Sequence, residues 1–466
     1  MWNFKKYATN VAAIDESGVS LTYHQLEDEI TTLGAHMATR SLLFILCNNT
    51  MGDFVGYVTS IASRCVPALL SASMDPKQEQ YLIEQYKPKY LWVPKELTAR
   101  YADYRLVYEK YGFVLLGNPN NTTPIYHELA LLLTTSGSTG SPKFVRQSYK
   151  NIFSNAASIA GYLEIDQTER PITTLPMNYT YGLSIINSHL LVGATILITN
   201  KSITQKEFWT FFKEREATSF GGVPYTYEML DKLRFFKMQL PSLRTMTQAG
   251  GKLLPSLHDA FAKYAEETGR QFVVMYGQCE ATARMAYLPA DKNLTKIGSM
   301  GIAIPGGKLI LINEEGNQIT TPFTTGELIY YGDNVTLGYA ESAVDLTKGD
   351  ERQGVLDTGD MAEFDEDGYF YIVGRKKRFL KIYGNRVNLD EAERMLKTAF
   401  PTIECAVGGV DDALWIFTTD AFAGEAMRKF LAEKTSLNSA AFQYTSVAAI
   451  PKNDAGKTLY TELQIP

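Results

Sequence analysis

The stretch 131-LLLTTSGSTGSPKFVRQSYKN-151 decides how this chain is read. A short apolar run, Leu129 to Leu133, has the length of a strand and delivers the chain to a turn where Gly137 and Gly140 allow dihedrals that a Cβ forbids. The N–H groups of such a turn can converge on one concavity. Ser136, Ser138, Thr139 and Ser141 add hydroxyl donors, and Lys143 adds a point charge suited to pyrophosphate oxygens. A bare GSTG is ordinarily a surface turn. The Walker A spacing is absent, because Lys143 follows Pro142 and precedes Phe144, so an ordinary P-loop NTPase is disfavoured.

A chain of 466 residues, 45% hydrophobic and 12% aromatic, is globular and too long for a single core. Its 45 basic and 51 acidic residues are interspersed, which argues against a nucleic-acid partner or a polybasic membrane patch. Cys47, Cys65, Cys279 and Cys405 stand far apart without CxxC pairing, so neither a disulfide framework nor a zinc site is expected, and a reducing compartment fits. The start MWNFKKYATN lacks the apolar core of a signal peptide, and the runs LLFIL and ATILI are too short to span a bilayer. The expectation is a soluble, cytoplasmic protein with no membrane partner. The five histidines are scattered singly and read as surface or satisfied core residues.

Two further runs carry chemistry. In 272-FVVMYGQCEATARMAYLP-289 a strand-like segment meets an aromatic, a glycine turn and Glu280, whose carboxylate is the sensible ligand for a hard divalent ion on phosphate oxygens. In 354-GVLDTGDMAEFDEDGYFYIVGRKKRFLKIYGNRVNLDEAE-393 a turn-borne Asp360 is suited to vicinal ribose hydroxyls. Alone, TGD is a surface turn and GRKKR a solvated basic strip.

The loop through Lys143 resembles the TSGSTGxPK signature of the adenylate-forming superfamily, which contains acyl-CoA synthetases, luciferase and the adenylation domains of peptide synthetases. The other two runs resemble its YGxTE and TGD motifs, in family order. The resemblance covers essentially the whole chain and implies ATP as substrate, Mg²⁺ on Glu280, and nucleotide contacts from Thr135, Ser136, Gly137, Ser138, Thr139 and Gly140. It further implies that Gly250 and Gly251 lie near adenine, that Tyr276 stacks on it beside Gly277, that Asp360 holds the ribose and that Arg375 reaches the ribose or phosphate. Lys143 and Lys457 complete the catalytic set, the latter in the loop AIPKNDAGKTLYTEL. The family threonine is replaced by Cys279, a weak donor, which puts the α-phosphate contact in doubt. A reactive role for this thiol is the less favoured alternative, since no histidine is near in sequence.

Tyr179, Tyr181 and Gly182 match a family motif that lines the acid pocket; by composition alone they are packed aromatics at a helix start. No acidic residue lies between Pro176 and Ser184, so a substrate ammonium would lack a partner and an acid without an α-amino group is favoured.

Alternating helix-like and strand-like segments predict an α/β fold. The resemblance adds a large N-terminal domain, 1–375, with a β-rich subdomain, and a small mobile α/β domain, 376–466, hinged near Lys377. Local signals include a capping box from Thr22 to Gln25, Pro76 in a first helical turn, helices over Lys150 to Leu163, Leu389 to Phe400 and Gly424 to Thr435, and strands to the C-terminus. Gly250 and Gly251 are candidates for left-handed turns. The implied reaction is acyl-adenylate formation followed by thioester formation on coenzyme A or a carrier-protein pantetheine, Lys381 and Gly384 facing the second step. An amino-acid adenylation enzyme and a non-enzymatic nucleotide-binding scaffold are the competing readings.

Overall fold

The computed structural model describes residues 2–134, 143–383, 385–435, 437–452 and 458–465. Thr135, Ser136, Gly137, Ser138, Thr139, Gly140, Gly384 and Lys457 lie outside the described residues, as does the side chain of Lys377. The chain forms two compact units, one of Met1–Gly137, Ser141–Lys308 and Tyr330–Leu356, the other including Leu309–Ile329 and Asp357–Pro466.

The first unit is layered α/β. Its helix Tyr23–Gly34 starts at the expected capping box: the Gln25 N–H donates to Thr22 Oγ1 at 3.2 Å, and the Thr22 N–H donates to Gln25 Oε1 at 2.8 Å. That helix buries Tyr23, Leu26 and Leu33. Pro76 opens the helix Pro76–Tyr86, where a missing N–H costs nothing, and Asp75 caps Lys77 and Gln78.

An eight-stranded sheet has the order Gly338–Ala340, Phe144–Ser148, Leu129–Thr134, Val66–Ser71, Leu42–Cys47, Tyr90–Pro94, Phe113–Gly117, Arg105–Lys110. Its centre is parallel and buried on both faces, which explains the unbroken apolar run of Leu42–Cys47. The hairpin at its edge gave no sequence signal, because Arg105–Lys110 is mostly exposed and carries charges.

A second sheet, of five strands, begins with three parallel ones, Ser219–Gly222, Thr245–Gln248 and Gln271–Tyr276. Near Ile172 the chain makes only isolated bridges, from Pro171 to Ser219 and from Ile172 to Leu197. Between those neighbours there is no room for a full ladder before Pro176 turns the chain into the helix Thr180–Val192.

The second unit contains strands of a five-stranded sheet, a hairpin Phe379–Ile382 with Asn385–Asn388, and a three-stranded sheet of Cys405–Val410, Ala413–Thr418 and Phe442–Ser446. Helices Leu389–Ala399 and Gly424–Thr435 pack on that sheet through Leu396, Val407, Ile416, Met427, Leu431 and Phe442. Of the strands expected after the helix Gly424–Thr435, the described residues form one, Phe442–Ser446. After Ser446 the described residues make one bridge, Lys452 to Thr458, and a 3-10 turn, Tyr460–Glu462, whose Tyr460 hydroxyl donates to Glu393 at 3.0 Å. Among the described residues no helix is long and apolar enough to cross a membrane.

Candidate active site

The three parallel strands of the five-stranded sheet end on one edge, and in such sheets ligands bind beyond the carboxyl ends of the strands. Gly250 follows the second strand and the run Tyr276 to Glu280 follows the third, so the topology alone gathers these residues. Gly250 has φ +86°, and a Cβ there would come within 2.8 Å of the Tyr179 hydroxyl. Gly251 does not share that conformation, contrary to expectation. Its constraint is Pro224, whose Cγ would lie 3.1 Å from an added Cβ.

The chain then makes a tight, strained reversal. At Gly277 a Cβ would sit 1.7 Å from the Ala283 carbonyl oxygen, so only glycine lets the two segments meet. Glu280 rides on the 3-10 turn Cys279–Ala281, and Thr282 follows at φ +65° and ψ −44°. The Ala283 N–H donates to the Ala281 carbonyl at 2.7 Å, a γ-turn that a β-branched residue adopts only under constraint. The constraints are visible. Asn334 Nδ2 donates to the Ala281 carbonyl at 2.9 Å, Thr282 Oγ1 to the Asn334 carbonyl at 2.7 Å, and Asn155 Nδ2 to the Arg284 carbonyl at 2.8 Å.

Glu280 accepts a hydrogen bond from the Tyr339 hydroxyl at 2.7 Å. The Tyr339 ring carries Lys143 Nζ at 3.8 Å and the Arg352 guanidinium carbon at 4.7 Å from its centroid. Arg352 also donates to the Glu280 carbonyl at 3.0 Å. Burial, then the Glu280 charge, pushes the Tyr339 hydroxyl above its ordinary range, so it stays a neutral donor. Two residues predicted to be catalytic, Glu280 and Lys143, thus meet around one tyrosine that sequence reading missed. Tyr339 and Arg352 lie 59 and 72 positions from Glu280, beyond any local spacing signal.

Among the described residues no group of three His, Cys, Asp or Glu could hold a metal. A lone carboxylate with acceptor capacity to spare still fits Mg²⁺, which ordinarily takes one or two carboxylates along with phosphate oxygens and water.

Cys279 is held as a thiol, pushed up by burial and then by Glu280. A little-ionised thiol is a weak donor, which favours simple replacement of a threonine over a reactive role. Tyr179 is pushed up to about 12 by burial and by Cys279. Its ring meets that of Tyr181 edge-on at 6.4 Å, and the Tyr181 hydroxyl shares a hydrogen with Thr247 Oγ1 at 2.7 Å. Tyr179 and Tyr181 join one apolar cluster with Val223, Ala249 and Met275. Gly182 serves the backbone instead, since a Cβ there would lie 2.4 Å from the Pro176 carbonyl. Tyr276 is half-buried, with Gln278 Nε2 donating to its hydroxyl at 3.2 Å.

In the second unit Asp360 and Arg375 are paired across an antiparallel ladder, with Nε 3.4 Å from Oδ1 and Asp360 buried. Arg378 bonds to Asp390 and Glu393 and lies 3.7 Å from the ring centroid of Tyr460.

The family model for AMP-binding enzymes matches residues 2–340. The chain is 26% identical over 406 residues to 2-succinylbenzoate–CoA ligase of Bacillus pumilus, covering 84% of this chain and 81% of that protein. It is 25% identical over 438 residues to oxalate–CoA ligase of Arabidopsis thaliana, covering 88% and 84%. The solved structure of o-succinylbenzoate CoA synthetase from Bacillus subtilis, in complex with its acyl-adenylate, shares the fold with a TM-score of 0.80. That match has 19% identity and covers 98% of this chain and 96% of the other.

Proposed function

The chain belongs to the AMP-binding enzyme family, and on that premise we propose that it is an AMP-forming acid–thiol ligase, activating a carboxylic acid with ATP and passing the acyl group to coenzyme A. The observation that carries this reading is the meeting of Glu280, Tyr339 and Lys143 beside the carboxyl ends of parallel strands. In the first half-reaction a carboxylate oxygen of the acid attacks the α-phosphorus, the bond to the β-phosphate oxygen breaks, and pyrophosphate leaves. Mg²⁺ supplies charge neutralisation of the phosphates when bound. Glu280 would hold it, Lys143 meets the leaving group, and Lys457 meets the charge developing at the α-phosphate. Tyr276 and Gly250 flank the adenine, and Asp360 and Arg375 hold the ribose. In the second half-reaction the thiol sulfur bonds to the acyl carbon, AMP leaves with its electron pair, and the thiol proton passes to solvent.

Residues 376–466 turn about Lys377 between the halves, withdrawing Lys457 before the thiol arrives and presenting the face with Lys381 and Gly384. The acid lacks an α-amino group, because the segment Pro176 to Ser184 offers an ammonium no carboxylate. ATP and coenzyme A make the cytoplasm the natural compartment.

The test is ATP–pyrophosphate exchange over aliphatic, aryl, hydroxy and amino acids, followed by mass spectrometry of the coenzyme A thioester. Strong exchange with amino acids alone overturns the substrate half. Transfer to a carrier-protein pantetheine but not to coenzyme A overturns the acceptor. Lys457→Ala should suppress adenylation ~10²–10³-fold and leave thioester formation from supplied acyl-adenylate nearly untouched; equal losses in both steps would overturn the alternation.

A further inference from the structure

We propose that Arg284 recognises a second carboxylate on the acid, remote from the one being activated, so that the preferred substrate is a dicarboxylate. This rests on the acid-activating reading above and names its substrate class.

The argument begins with an unbalanced charge. Arg284 is 2% exposed, yet no carboxylate among the described residues pairs with it. Its hydrogen bond to a side chain runs from Nη1 to the Tyr162 hydroxyl at 3.2 Å, its guanidinium carbon lies 5.0 Å from the Tyr181 ring centroid, and its buried Nε has no acceptor. A buried cation without a counter-charge is costly, and native interiors keep one where something outside the chain completes it.

Position says what that something is. Tyr162 and Tyr181 belong to the same apolar cluster as Val223, Ala249 and Met275, the wall expected to receive the acid. The Arg284 backbone continues the strained turn that carries Glu280 and is pinned by Asn155 and Asn334 through its carbonyl. The Arg284 backbone is therefore fixed relative to Glu280, and the guanidinium is held by Tyr162, as a ruler for an acid's far end must be. A planar guanidinium whose Nε–H has no acceptor, set in an apolar wall, matches a carboxylate fork and repels an ammonium.

The experiment measures exchange kcat/KM for wild type, Arg284→Met and Arg284→Lys on matched pairs: succinate, glutarate, adipate and phthalate, each against its monomethyl ester. Removing one partner of a buried charge pair costs ~30-fold or more in the interaction. For at least one pair wild type should therefore favour the diacid by about that factor. Arg284→Met should bring the ratio to about one, chiefly by losing the diacid, while Arg284→Lys keeps the preference at a reduced rate. Calorimetric AMP binding by each variant reports that the fold survives. Wild type using esters as well as diacids, or Arg284→Met retaining the diacid preference, overturns the proposal and leaves acid activation standing. Absence of exchange with every mono- and dicarboxylic acid, in a protein that binds AMP, overturns both.

Discussion

Arg146 and Arg284 lie at the same depth in the same unit, and their surroundings are opposites. Arg146 is 0% exposed and fully enclosed by acceptors: Nε donates to the Tyr339 carbonyl at 3.0 Å, Nη1 to the Gly349 carbonyl at 3.2 Å and to the Lys348 carbonyl, Nη2 to the Leu337 carbonyl at 3.0 Å and to Glu351. Arg284 has one hydroxyl and one ring. Burial alone does not tell a structural cation from a recognition cation; the count of protein acceptors does. Arg146 binds the strand Gly338–Ala340 and the segment after it into the eight-stranded sheet, and so fixes Tyr339 beside Glu280.

The widest gap between the two should appear in stability. Arg146→Met removes the donor to several buried carbonyls at once and should lower the unfolding free energy by ~3–5 kcal/mol. Arg284→Met should leave it unchanged or raise it. Urea unfolding of the two variants reads the difference, and equal losses would erase the distinction.

The next effect is one of pH. His189, buried beside Arg284, is held down at about 4, first by burial and then by the Arg284 charge. Its folded value lies below the ordinary 6.5, so the unfolded chain binds the proton more readily. The contribution is whole above pH 6.5 and is lost as pH falls toward 4, at up to ~1.4 kcal/mol per pH unit. Unfolding measured between those limits should flatten in His189→Gln. A wild type with no slope there would mean that burial and the Arg284 charge do not hold His189 neutral.

Tyr339→Phe comes third. It removes the hydroxyl from Glu280 while keeping the ring under Lys143 and Arg352, and one such bond corresponds to ~10-fold in exchange rate. The loss should grow when Mg²⁺ is limiting; a variant as fast as wild type at every Mg²⁺ level would detach Tyr339 from the site.

Smallest is the acid side of the Arg146 region. Asp345 is held at about 2 although burial raises it, because hydrogen bonds from Lys348 and from the Glu341 and Ser342 N–H groups outweigh that cost. Its contribution, present above pH 3.8, fades as pH falls through 2. Asp345→Asn should remove part of the acid slope there and none of the slope near pH 5.

What the sequence yielded and what it withheld follow from range. Glu280, Asp360 and Arg375 were legible because their neighbours in the chain carry the same motif, and the helices at Tyr23 and Pro76 because their caps are local. Tyr339 reaches Glu280 from a strand at the edge of the eight-stranded sheet and Arg352 from a turn further along the chain. Arg284 stood within a run already singled out, but a letter R does not report how many acceptors surround it. The edge hairpin Arg105–Lys110 with Phe113–Gly117 was hidden by its own exposure.

The close approach at Gly277 bears on how such an enzyme could change its diet. The turn that carries Glu280 is locked by backbone meeting backbone, with amide clamps from Asn155 and Asn334 and the Thr180 hydroxyl on the Thr282 carbonyl, while the side-chain hydrogen bonds of Tyr181 and Arg284 run to Thr247 and Tyr162 instead. Tyr179, Tyr181 and Arg284 can therefore be exchanged without moving the group that handles phosphate. Directed evolution that randomises those three positions together should retain AMP binding across most of its library and yield new acid preferences at high frequency, whereas a library at Gly277 should be almost barren.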